Sequence, residues 1–165
     1  MSEVGQDTGQ DVSNLATRLG RDVLRWLAAV EDSSQFTADN LRAALGMELP
    51  RLSDGPERYW SGDVLTRDWR YGVLLDRSQP SPRFELSFRS QSHDDPSMRA
   101  IAGVDLETAS NELADAGFDR AIVRAEHGRI DHFRFSRDAL TVEIYARGES
   151  VANPERQCIR MLVAR

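Results

Sequence analysis

Three histidines and one cysteine are the first residues to weigh for chemistry in this 165-residue chain. His93 precedes Asp94 and Asp95, and imidazole with carboxylates is a ligand set for a divalent metal. A stable centre needs a further ligand, and neither Cys158, His127 nor His132 stands at ligand spacing. The run His93-Asp94-Asp95-Pro96 therefore reads as a solvated turn that offers Asp94 and Asp95 to a partner. No metal and no cofactor is expected. His132 belongs to an alternating run whose polar side also holds Arg134. Folding the next hairpin about Arg137-Asp138 sets Glu143 opposite His132, with Tyr145 on the same side and Arg160 in reach from the last strand. A histidine beside a glutamate is an acid–base pair that a hydrolase could use. No nucleophile or oxyanion hole accompanies it, and Tyr and Arg on a flat sheet face suit contact with a partner instead.

A second cluster of contact residues lies in Tyr59, Trp60, Trp69, Arg70 and Tyr71. Trp69 and Tyr71 share a strand face with Val73 and Leu75, which assigns them to the core. Tyr59 and Trp60 point in opposite directions on their strand, so at least one of them reaches the surface. The partner-binding set read from the sequence is thus His132, Arg134, Glu143, Tyr145, Arg160, Asp94, Asp95, Tyr59 and Trp60. No catalytic residue is assigned. A phosphate-binding glycine loop, a GxSxG elbow, an HExxH helix and a CxxC pair are all missing, and Gly148-Glu149-Ser150 lacks the glycine that an elbow needs.

The elements that must position these residues follow from periodicity. Residues 1–10 are polar and aperiodic and read as a disordered tail, and 11–165 as a single α+β domain. Val12, Leu15, Leu19, Val23, Trp26, Leu27 and Val30 recur at helical spacing. A second helix starts at the N-cap Thr37, is stapled by Phe36 onto Leu41, and stops at Gly46. Three strands follow, Arg58 to Asp63, Trp69 to Leu75 and Arg83 to Arg89, the last alternating cleanly between apolar and polar residues. A helix from Leu106 to about Ala116 has Asp105 as N-cap and Gly117 as terminator. Strands Ala121 to Glu126, Ile130 to Phe135, Leu140 to Tyr145 and Gln157 to Val163 complete the chain. Crossover helices between successive strands are lacking, so the expected architecture is N-terminal helices and one later helix on an antiparallel sheet of about seven strands. A two-residue loop at His127-Gly128 pairs Glu126 with Arg129 and Arg124 with Asp131, each pair worth about 0.2–1 kcal/mol. Thr37–Gly46 matches Thr108–Gly117 at Thr, Ala, Asn, Ala and Gly, which is the pattern of a duplicated α-βββ unit with halves 37–90 and 105–165.

Composition narrows the function class. With 27 acidic and 21 basic side chains the net charge is -6, and every basic side chain is arginine. Lysine-dependent chemistry is excluded: there is no P-loop lysine, Schiff base or lysine general base. The acidic balance argues against nucleic acid and anionic membrane as partners. No stretch approaches the roughly 18–20 apolar residues of a membrane span, the first residues do not form a signal peptide, and a lone Cys158 demands no oxidising compartment. Cytoplasmic residence is the expectation. These features describe a small acidic binding protein whose partner is a cognate protein, in bacterial terms an immunity protein that neutralises a toxin or effector. A secretion chaperone or adaptor, and a hydrolase using His132/Glu143 or the His93-Asp94-Asp95 loop, are the alternatives. Strand edges leave a homodimer open as well.

Overall fold

A computed structural model describes residues 7–165. The first helix, α1 (Asp7–Ala29), begins within the expected tail, so residues 7–10 belong to it; residues 1–6 of that tail lie outside the described residues. Of the stripe that the spacing predicts, Leu19, Val23, Trp26 and Leu27 are buried in α1 and Val30 just past its end. Val12 and Leu15 are partly buried, and Ala16 and Leu24 join the buried side. Helix α2 (Ala38–Leu45) is capped as expected: the Thr37 side chain accepts from the Asn40 N–H, and Gly46 takes a left-handed conformation at φ 60°. Helix α3 (Leu106–Asp115) starts on Asp105, whose carboxylate accepts from the Thr108 N–H at 2.9 Å. It ends in a Schellman arrangement, with Gly117 at φ 92° and the Phe118 N–H bonded to Leu113 O. None of the described helices is long and apolar enough to cross a membrane.

The strands are β1 (Arg58–Val64), β2 (Trp69–Asp76), β3 (Arg83–Ser90), β4 (Asp119–Arg124), β5 (Ile130–Arg137), β6 (Leu140–Gly148) and β7 (Gln157–Ala164). They form one seven-stranded sheet in the order β1-β2-β3-β7-β6-β5-β4, antiparallel throughout. The fold is therefore α+β with the helices packed on one face of the sheet. Val73, Leu75, Phe84, Leu86, Phe135, Val142, Ile144 and Leu162 join the helices' apolar stripes in a single core. Trp26 of α1 anchors that layer, with its ring 4.9 Å from Phe36 and 5.1 Å from Phe84. Arg137 ties both long helices to the sheet: its guanidinium donates to Ala116 O at 2.7 Å, to Ala28 O at 3.2 Å and to Val30 O, and lies 4.4 Å from the Phe118 ring.

Three expectations change here. The β5–β6 turn is Asp138-Ala139, with Asp138 at φ 51° and Arg137 kept in the strand opposite Leu140 by its bonds to the helix ends. The register is shifted by two residues, so sides are preserved but Arg134, not His132, stands across from Glu143. At the β4–β5 tip, His127 and Gly128 both have positive φ, Ala125 N–H bonds Arg129 O, and a bulge follows Val123. The pairs Glu126–Arg129 and Arg124–Asp131 therefore do not form, and Arg124 donates to Gly128 O instead. The second half, 105–165, holds four strands and not three, and it is β5-β6-β7, not β4-β5-β6, that a two-fold axis normal to the sheet between β3 and β7 relates to β1-β2-β3.

Candidate functional site

Alternation leaves the face opposite the helices with one continuous cross-strand row: Trp60, Leu74, Glu85, Val163, Glu143, Arg134 and Ala121. This is the face on which the sequence places its contact residues. His132, Arg134, Glu143 and Tyr145 do come together there, on β5 and β6. Arg160 also reaches this side, from the bulged stretch of β7 beside Met161, whose cross-strand partner is Tyr145, and it lines a groove with Met161 and Arg89.

The His132 end is a closed hydrogen-bonded patch and not the solvated face that the alternation suggests. His132 is 6% exposed and Glu143 7%. Asp131 Oδ2 lies 2.7 Å from His132 Nδ1, and the imidazole ring centre lies 5.0 Å from that of Tyr145. Glu143 accepts from the Tyr145 hydroxyl at 3.0 Å and from the Arg165 guanidinium at 2.9 Å. Burial opposes the Glu143 carboxylate, but the bonds from Tyr145 and Arg165 and the charges of Arg165 and His132 outweigh it and hold its pKa below the usual value. Burial, together with the bond to Glu143, pushes the Tyr145 hydroxyl upward. His132 Nε2 is buried without a hydrogen bond, 3.8 Å from Glu143 Oε2. The atom it faces is thus a carboxylate oxygen that already accepts from the Tyr145 hydroxyl, not a hydroxyl or thiol that it could activate.

The opposite end is open. Trp60, 39% exposed, lays its indole across two strand glycines: a Cβ on Gly62 would meet Trp60 Cζ2 at 2.6 Å, and one on Gly72 would meet Nε1 at 3.3 Å. Gly62 and Gly72 are direct cross-strand partners, so together they form a flat floor on which the ring rests. Beside it runs a groove of about 360 Å³ bounded by Arg70, Leu74, Glu85 and Arg89. A second hollow of about 460 Å³ continues past Ser87 and Arg89 to Arg147, Arg160 and Met161. Glu85 is held by Arg83 at 2.9 Å and approached by Arg89 at 3.7 Å. Among the described residues, Arg70, Arg134 and Arg160 have no carboxylate partner.

The remaining predicted residues separate. Tyr59 turns to the helix side, packs against the core, donates to Glu57 at 3.3 Å and lies under the Arg42 guanidinium, so it does not share a surface with Trp60. Asp95 is bound to Arg147 at 2.5 Å and borders the second hollow, whereas Asp94 stays at the loop surface. No group of three or more His, Cys, Asp or Glu among the described residues is arranged to hold a metal. Sequence reasoning missed Arg89, the Gly62–Gly72 floor, Asp131 and Arg165. The two mid-strand glycines were the available signal, because glycine inside a strand marks a close approach, but their pairing depends on register. Comparison with protein-family models, with curated proteins and with solved structures returned no match.

Proposed function

We propose that this chain is a binding protein that holds a cognate protein partner on the helix-free face of its sheet, as an immunity protein holds the toxin or effector it neutralises. The observation that carries this reading is the open groove beside Trp60. A half-exposed indole on a rigid glycine floor, next to Arg89 and to Arg70, which has no carboxylate partner among the described residues, combines the residue types that dominate binding energy at protein interfaces. A hydrolase built on His132 is not favoured, because its free nitrogen faces Glu143. A secretion chaperone or adaptor is the second reading, favoured by the shape of the groove, which crosses strands and suits an extended segment of a client.

The test is site-specific photo-crosslinking in the source cell. A photoreactive residue at position 60 is expected to capture one stoichiometric protein, and the same residue at Glu112 on the outer side of α3 is expected to capture none. Capture from Glu112 alone would overturn the sheet-face reading. Inhibition and chaperoning then part on whether the released partner regains an activity that the complex lacks.

A further inference from the structure

Resting on that reading, we infer that the segment received by the groove is an extended, acidic stretch of the partner, with carboxylates for Arg70, Arg89 and Arg160 and one apolar side chain for Trp60. The first support is a local reversal of charge. The chain carries -6 overall, yet this end of the sheet presents Arg70, Arg89 and Arg160 from three successive strands, with Arg147 alongside. The two acids that line these hollows, Glu85 and Asp95, are bound by Arg83 and Arg147, and Glu107, Glu112 and Asp115 lie away from them on α3. A basic toxin surface, the natural target of an acidic protein, is therefore not what this face complements.

The second support is that Arg70 and Arg89 are direct cross-strand partners, on β2 and β3. Like charges placed opposite one another destabilise a sheet, and an anion between them reverses the sign of that interaction. Arg89 reaches Glu85 only at 3.7 Å, and Arg70 and Arg160 have no partner among the described residues. Three guanidinium forks are thus available for bidentate contact, a geometry that matches carboxylates.

Dimensions set the form of the ligand. Strands lie about 4.8 Å apart, so β2 to β7 spans about 10 Å, which three or four extended residues at about 3.3 Å each would cover. Alternate side chains of such a segment fall on one side, where they meet successive arginines. Trp60 and Leu74 at the β1–β2 end offer the apolar contact. A nucleic acid fits less well: its phosphates come at every step, whereas Glu85 and Asp95 line the hollows between the arginines, and the whole molecule repels a polyanion at long range.

A displayed library of random hexapeptides, selected on the full chain, tests this directly. The expected winners carry two or more Asp or Glu and one large apolar residue. A synthetic winner followed by fluorescence anisotropy should bind about tenfold or more weaker to the R70Q/R160Q variant, and weaken as salt rises. Both arginines are exposed and unpartnered, so that variant keeps its fold, which circular dichroism verifies. Winners lacking acids, acidic winners indifferent to R70Q/R160Q, or displacement of the peptide by a single-stranded oligonucleotide would each overturn the inference. If no peptide is selected while position 60 still cross-links a protein, the acidic-segment inference falls and the docking face stands.

Discussion

Arg137 is a single side chain on which the attachment of two helices depends, and removing it has a calculable cost. Its guanidinium serves carbonyls at the C-terminal ends of both α1 and α3, Ala28 and Val30 on one side and Ala116 on the other. Those are the carbonyls that a helix cannot satisfy internally, and each helix end also carries partial negative charge. A hydrogen bond from a charged donor contributes about 1.5–3 kcal/mol net. Because Arg137 is only half-buried, water replaces part of what is lost, and about one such bond per helix end is a fair count. With the contact to Phe118, Arg137→Ala should cost about 3–4 kcal/mol. Taking about 2 kcal/mol per molar urea for a chain of this size, the unfolding midpoint falls by about 1.5–2 M. Arg137→Lys keeps the charge but loses the fork, so its ammonium can serve one helix end and should recover about half the loss. A midpoint drop below about 0.5 M for the alanine variant, or a lysine variant equal to wild type, would refute the idea that one fork joins both helix ends.

Further outcomes follow from the same geometry. Gly62→Ala puts a Cβ 2.5 Å from Tyr71 O and 2.6 Å from the Trp60 ring, so it should cost about 2 kcal/mol and raise acrylamide quenching. The quenching change reports Trp60, since Trp26 and Trp69 are 7% and 2% exposed; unchanged quenching with unchanged stability would contradict the glycine floor. Asp105 caps α3, and the backbone bond from Thr108 lowers its pKa below the ordinary 3.8. A depressed folded pKa means that the cap stabilises fully only above the ordinary value of 3.8 and is progressively lost as pH falls from there through the folded value. Asp105→Ala should therefore cost about 1 kcal/mol at pH 7 and progressively less in acid, as read from urea midpoints; a deficit independent of pH would show that the carboxylate charge plays no part. Cys158 is fully buried, and burial pushes its thiol pKa up, so its reaction with a disulfide reagent should be slower in the folded protein by on the order of 100-fold or more than in urea.

Most of the architecture was legible in the chain because it rests on local signals. Thr37, Gly46, Asp105 and Gly117 mark helix ends through bonds to neighbours three or four residues away. Alternation in Arg83–Ser90 marks a strand with two unlike faces. Which side of β5 and β6 holds His132, Arg134, Glu143 and Tyr145 was also legible, since a register error of two leaves sides unchanged. Their partners were not, because a turn moved by one residue at Asp138 changes every cross-strand contact.

The sequence by itself determined the α+β class, the helix stripes, the strand count and the absence of lysine-dependent chemistry, all of which depend on residue type and spacing of a few positions. Only the tertiary structure decided that Tyr59 and Trp60 serve different layers, that Gly62 and Gly72 form one floor, and that Arg70, Arg89 and Arg160 gather on one end of an acidic protein. Net charge and composition are sums over the chain and carry no positions. The order β3-β7-β6 sets the last strand against β3, from the middle of the chain, and that non-local pairing turns scattered arginines into a surface.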